Sequence, residues 1–163
     1  MPDPEQTKTG KAESNQIMFV ATDSEMTVGT ITLGLDSAGG LLAEGTYSEA
    51  VQEKRAAGCN VCEVTRLAVA EQADSKRVLA SLFSLAFATA SVHGVTDVFV
   101  EVNPRHVVFY RRVLGFMVAA GEKFCERVKA PSVLLWLTMD ELEQRLMKLN
   151  AKIAPMPFAA QAA

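Results

Sequence analysis

CEVTRLAV, residues 62–69, reads as a strand that ought to be buried, yet it carries a glutamate and an arginine three positions apart. Its remaining residues are mostly β-branched or small and apolar, which suits the interior of a sheet. Side chains of a strand alternate faces. On a regular strand Glu63, Thr65, Leu67 and Val69 share one face, and Cys62, Val64, Arg66 and Ala68 share the other. Glu63 and Arg66 therefore do not simply pair with each other. A buried charge without a partner costs on the order of several kcal/mol, so each needs a partner or a route to water. Two readings stay open on these residues alone. The first half of the strand lies wet at a sheet edge, or the residues belong to a site. In a site, Glu63 would act as a base or amine-orienting group and Arg66 would hold an anion.

The pattern on either side alternates between strand and helix periods. Upstream, 16–22 and 26–35 read as a hairpin around the turn Asp23-Ser24-Glu25, with Gly29 and Gly34 marking bulges or a close neighbour. A loop at 36–40 precedes a short helix over 48–57, capped by Ser48 and closed by Gly58. Downstream, Asp74 or Ser75 caps the strongest helix, 76–92, whose apolar positions fall at helical spacing. A strand at 95–102 follows, then a helix from Pro104 to about Val113 stopped by Gly115. Strands at 116–120 and 132–138 and a last helix at 140–152, capped by Asp140, complete the pattern. The fold class is α/β (of α+β type) with a mixed sheet flanked by helices, and the 59–69 and 95–102 strands are parallel because a helix joins them. The chain divides into a disordered lead at 1–15, a single domain at 16–153 and a flexible tail at 154–163.

The composition excludes several classes. At 163 residues, 49% of them hydrophobic, one domain can bury a core without disulfide or metal support. A net charge of -3 gives no electrostatic case for nucleic acid. Cys59-x-x-Cys62 lacks a second pair at ligand spacing, and Cys125, His93 and His106 are isolated, so no metal site is expected. The polar start has no apolar central region, and no apolar run approaches the roughly 18 residues needed to span a bilayer. The expectation is a cytoplasmic protein with reduced thiols and no integral membrane association.

Two further features bear on function. Lys76 and Arg77 put positive charge at the start of the 76–92 helix, where a helix alone prefers acids. They extend into water, or they flank a bound phosphate or carboxylate. The stretch NPRHVVFYRRVLGF, 103–116, carries Arg105, Arg111 and Arg112 around Tyr110. By itself it is a solvated helix face with a core tyrosine.

Taken in this order, the strand ending Leu67-Ala68-Val69, its following helix and the Asn103 to Phe116 segment resemble the GNAT superfamily of acyltransferases. That resemblance implies a splayed sheet in which two parallel strands part around the acyl donor. GNAT enzymes that use acetyl-CoA carry a glycine-rich loop there, whereas AEQADSKRVLASL, 70–82, has no glycine. A loop without glycine cannot bring its backbone as close to a pyrophosphate. VGTITLGLDSAGGL, CEVTRLAV, NPRHVVFYRRVLGF and KAPSVLLWL look like long-chain N-acyl amino acid synthases, which are similar to the acyl-homoserine lactone (autoinducer) synthases. The latter carry Glu-x-Ser/Thr-Arg-Phe, and here Leu67 replaces the phenylalanine.

The resemblance implies an acyltransferase that moves a fatty acyl group from acyl carrier protein to the α-amine of an amino acid, with no permanently bound cofactor. Its alternatives are a CoA-dependent N-acyltransferase and a module that binds acyl groups without turnover. It implies that Glu63 accepts the amine's proton, that Arg66 braces the site or binds a carboxylate, and that Tyr110 protonates the leaving thiolate. It places the donor along Leu67, Ala68 and Val69, with Lys76, Arg77, Arg105, Arg111 and Arg112 facing the acidic carrier. Leu82, Phe83, Phe87, Phe99 and Trp136 are the candidates for the acyl-chain tunnel.

Overall fold

In a computed structural model of the protein, residues 15–153 and 159–162 are described. Strands β1 (Gln16–Asp23) and β2 (Met26–Leu35) form a hairpin, and helix α1 (Glu44–Ala56) follows. Strand β3 (Val61–Val69), helix α2 (Ser75–Val92) and strand β4 (Asp97–Val102) come next. The chain then makes a 3-10 turn at Pro104–His106, one α-turn, α3 (Val107–Phe109), and a π-helical turn at Tyr110–Leu114. Strands β5 (Met117–Cys125) and β6 (Ala130–Thr138), helix α4 (Met139–Ala151) and strand β7 (Ala159–Ala162) complete it. The sheet runs β5-β6-β4-β3-β2-β1-β7, and β3–β4 is its parallel pair, as expected for strands joined by a helix.

Two irregularities in β3 shape the molecule. Pairing with β4 runs from Val61↔Asp97 to Val64↔Val100 and stops, although β3 continues to Val69 and β4 to Val102. The two strands part there, which gives the splayed sheet. On the other side, β2 pairs Thr32↔Thr65 and then Thr30↔Ala68, so Ile31 faces both Arg66 and Leu67. This is a β-bulge, and Arg66 takes φ +53 within it.

The bulge corrects the expected alternation. Leu67 and Val69 pack against the same core as Cys62 and Val64, beneath α2 and α4, instead of continuing the face of Glu63. One extra residue shifts the period-2 pattern by one, so every side chain after it changes face. The sheet thus separates two cores. Leu33, Cys62, Val64, Phe83, Val100, Tyr110 and Leu135 belong to the side covered by α2 and α4. Tyr47, Val51, Val61, Phe99 and Leu134 belong to the side covered by α1.

Several element ends differ from expectation for local reasons. Helix α1 starts one turn earlier than expected, at Glu44, but it is kinked at Tyr47, whose φ of -125 and ψ of 47 are non-helical, so the expected helix from Ser48 follows the kink. α4 is capped by Thr138, whose side chain accepts from Glu141 N, rather than by Asp140. Asp74 caps α2, as expected. The expected tail includes Ala159–Ala162, which pairs with β1 as an added edge strand; residues 154–158 and the lead at 1–14 lie outside the described residues.

Candidate active site

Glu63 is buried, 3% exposed, yet it has partners. Its Oε2 accepts from Leu42 N at 2.5 Å and its Oε1 from Ala43 N at 3.1 Å. These are amides of the turn that precedes α1, and both bonds favour the ionised carboxylate. The loop that offers them is braced. Arg55 donates to both oxygens of Asp36, at 2.8 and 2.6 Å, and also binds Glu44. Glu44 in turn accepts from Leu41 N at 2.8 Å. Gly34, opposite Glu63 on β2, makes room, since a Cβ there would lie 3.0 Å from Glu63 Cγ. Glu63 lines a cavity of about 130 Å³ with Gly34, Leu35, Ser37 and Leu42. Burial pushes its carboxyl above the usual glutamate range, opposed by the two amides and by Arg127, and reinforced by Glu101.

Glu101 is a second buried acid near Glu63 that the sequence did not single out. It sits on β4, where Val100 and Val102 face the α2 side and Glu101 faces the α1 side with Glu63. Ser132 Oγ donates to Glu101 Oε2 at 2.7 Å, and Arg127 lies 3.1 Å from Oε1. Tyr47 gives its hydroxyl proton to Ser132 O at 2.6 Å and lies 3.2 Å from Ser132 Oγ, so the group is locked from behind. A lone acid in the apolar strand VFVEV carries the same signal as Glu63 in CEVTRLAV; Arg127, in the β5–β6 turn, gave none.

Tyr110 opens the π-helical turn, is 6% exposed and packs edge-on against Phe109 and Phe116. Burial raises its phenol to about 12, so it carries its proton at neutral pH. It stands on the α2 side of the sheet and Glu63 on the α1 side. The two side chains thus lie on opposite faces of the sheet. Arg66 is exposed at the bulge, and its positive φ is a strained backbone state held by the pairing around it.

The expected tunnel residues do not line one tunnel. Leu82 and Phe83 are buried on the α2 side, whereas Phe99 lies in the α1 core. Trp136 is held on that side by Asp97, to which its Nε1 donates at 2.7 Å, with Lys54 Nζ 3.6 Å from the ring centre. Strand parity separates the two pairs. Beside Phe83, a wholly apolar seam that includes Phe87, Val64 and Leu142 holds about 10 Å³, less than one water.

The positive surface is also redistributed. Arg77 is turned back onto Asp74, Nε to Oδ2 at 3.2 Å, and Arg105 Nε lies 3.2 Å from His106 Nε2. Arg111, Arg112 and Arg145 instead line a depression of about 420 Å³. A second depression of about 250 Å³ shares Arg112 and Arg145 and adds Lys76, Lys148 and Lys152. Gly115, at φ +80, lets Arg145 lie close, since a Cβ there would be 2.8 Å from its Nε. Among the described residues no cluster of three metal-ligating side chains occurs, and no helix is long and apolar enough to cross a membrane.

The splayed mixed sheet, in which β3 and β4 part beyond Val64 and Val100, is that of a GNAT-like acyltransferase fold. Residues 2–138 match the family described as N-acyl amino acid synthase FeeM, and the chain belongs to that family. It is similar to the structure of FeeM, an N-acyl amino acid synthase from uncultured soil microbes, at 25% identity and a TM-score of 0.74, over 84% of this chain and 81% of that one. It shares its fold with an acetyltransferase of the GNAT family from Desulfovibrio desulfuricans at 17% identity and a TM-score of 0.56, over 83% of this chain and 76% of that one. It also shares it with BjaI, a CoA-dependent acyl-homoserine lactone synthase, at 13% identity and a TM-score of 0.54, over 83% of this chain and 65% of that one. A search of the curated proteins finds no match to the sequence.

Proposed function

We infer that this protein transfers a fatty acyl group from acyl carrier protein to the α-amine of an amino acid. The observation that carries the donor assignment is the start of α2. There Asp74 places its own carboxylate on the helix amides, accepting from Arg77 N at 3.4 Å, and holds the Arg77 guanidinium. A pyrophosphate would meet a like charge in the position where helix amides otherwise favour an anion. The six cations of the adjoining depressions, by contrast, offer an acidic protein a broad surface in a chain of net charge -3. Such a surface speeds encounter and sets orientation more than it adds affinity. A cytoplasmic location goes with a carrier-protein donor.

The reaction balances with the groups present. The acceptor nitrogen attacks the thioester carbon, and the C–N bond forms. The resulting oxyanion lies along the β4-facing edge of β3, at Leu67 to Val69, which has no strand partner there. The C–S bond then breaks, and the carrier's thiolate takes a proton from Tyr110. The α-ammonium first gives one proton to solvent, so that a neutral amine attacks; the second, lost as the amide forms, goes to Glu63, directly or through water, and returns to Tyr110 through solvent. Arg66 braces the parted strand from its bulge.

Mass spectrometry of lipids from a bacterial host expressing the chain is expected to show a new series of N-acyl amino acids spaced by two methylenes. Soluble protein that yields no such series overturns the reading. Reversing Arg112 and Arg145 to Glu is expected to weaken binding of acyl carrier protein by about tenfold or more at low salt, with the difference shrinking near 1 M, where the screening length is about 3 Å. Both side chains are exposed, so the fold should be unaffected. An unchanged dissociation constant at low salt would remove the carrier from this face.

A further inference from the structure

We propose that Glu101 and Arg127, with the Thr65 hydroxyl, form the subsite that receives the ammonium and carboxylate of the acceptor. The proposal rests on the reading that the acceptor is an amino acid and adds which side chains recognise it.

Three observations converge on this place. The Glu101 side chain is only 4% exposed, whereas that of its ion-pair partner Arg127 is 42% exposed. A buried acid is thus covered by a guanidinium that reaches solvent from a hairpin turn. Arg127 uses one of its five N–H donors on Glu101, which leaves donors in a planar fork suited to a carboxylate. Glu101 is fixed from behind by Ser132 and Tyr47, so it keeps its position if Arg127 turns outward.

The third observation is Thr65. Its Oγ1 is buried and has no hydrogen-bond partner among the described residues. Buried hydroxyls normally find partners, so an unmatched one points to a group that is not part of the chain. Thr65 pairs with Thr32, on the face that also holds Gly34 and Glu63. The last β3–β4 pair is Val64↔Val100, so Thr65 and Glu101 are the next residues on the two strands, at the start of the opening and on the α1 side. A zwitterion lying there puts its ammonium at Glu101 and Thr65 and its carboxylate at Arg127. Its nitrogen then sits at the gap from which the thioester is reached, and the negative charges of Glu101 and Glu63 favour the ammonium's entry.

The test compares an amino acid that the wild-type enzyme acylates with the decarboxylated amine of the same side chain, using acyl carrier protein as donor. The wild type is expected to prefer the amino acid. Arg127→Met is expected to raise KM for the amino acid about 30-fold or more, leave KM for the donor unchanged, and bring the two acceptors to near parity. Arg127→Lys keeps the charge on Glu101 and should recover part of the preference. Thr65→Val removes an unmatched hydroxyl, so thermal stability should hold or rise while the acceptor KM rises. A retained preference in folded Arg127→Met, or an unchanged acceptor KM in Thr65→Val, overturns the subsite. A wild type that makes no N-acyl amino acid overturns the underlying function instead.

Discussion

Glu63→Gln is expected to lower kcat by about 100-fold or more, because a positioned general base contributes roughly 10²–10⁴-fold. Glutamine nearly matches the shape, so the fold should persist at a moderate cost. Leu42 N and Ala43 N each bond a different oxygen of the carboxylate, and in glutamine one of those positions is an NH₂ that cannot accept. An amide left without an acceptor costs about 1–3 kcal/mol. For a chain of this size that lowers the melting temperature by roughly 2–4 °C per kcal/mol, so kinetics at 20 °C on protein shown to be folded separates the two roles.

The pH dependence gives a second readout. Burial holds the Glu63 carboxyl above its ordinary value of 4.5, so the native state binds that proton more tightly than the unfolded chain does. The sign follows from linkage: stability falls as pH climbs from 4.5 toward the raised value and is flat beyond it. Activity runs the opposite way, because the base must be ionised. The acid limb of kcat/KM should therefore lie above 4.5 in the wild type and vanish in Glu63→Gln. A folded variant whose turnover is within threefold of wild type, or whose acid limb is unmoved, would leave Glu63 as the anchor of the Leu42–Ala43 turn and nothing more.

That dual role shows where sequence reasoning reached and where it stopped. The order of strands and helices and the parallel β3–β4 pair were legible, because hydrophobic periods of 2 and 3.6 are local signals. The charges in CEVTRLAV stood out from their apolar strand, but their partners were not legible. The amides that bind Glu63 come from Leu42 and Ala43, some 20 residues upstream in a loop with no motif. Ser48 marked the start of the regular helix after the kink at Tyr47, whereas the extra turn from Glu44 carries no capping signal of its own. The bulge was hidden because its positive φ falls on an arginine, where glycine would have announced it. Once it is missed, every face after Thr65 is assigned wrongly, and with it the position of Leu67 and Val69. The basic face was half legible. Arg111 and Arg112 lie close in sequence, but Arg145, Lys148 and Lys152 come from α4 and join them only through packing.

Gly29→Val is expected to cost about 3 kcal/mol or more, which for this chain length is a fall of roughly 6–12 °C in melting temperature. Gly29 lies where β2 runs beneath α2. A Cβ there would stand 2.5 Å from Val78 Cγ1 and 3.1 Å from both Leu82 Cδ1 and the Ala68 carbonyl oxygen. Val78 and Leu82 are fully buried and the Ala68 oxygen is backbone, so none can yield without moving α2 or β3. A branched side chain adds two methyl groups to a position that has no room for one. The displacement falls on the parted half of β3, so the donor's KM should rise in whatever fraction remains folded. Gly45→Ala is the matched comparison. It lies in α1, nothing stands within 4 Å of its added Cβ, and alanine in a helix is favoured by about 0.5–1 kcal/mol. The same loss of backbone freedom in the unfolded chain acts at both sites, so opposite signs isolate the contact between α2 and β2 as the cause. A Gly29→Val protein that melts within 2 °C of wild type would show that α2 does not press on the sheet there, and the wall of the donor cleft would have to be drawn again.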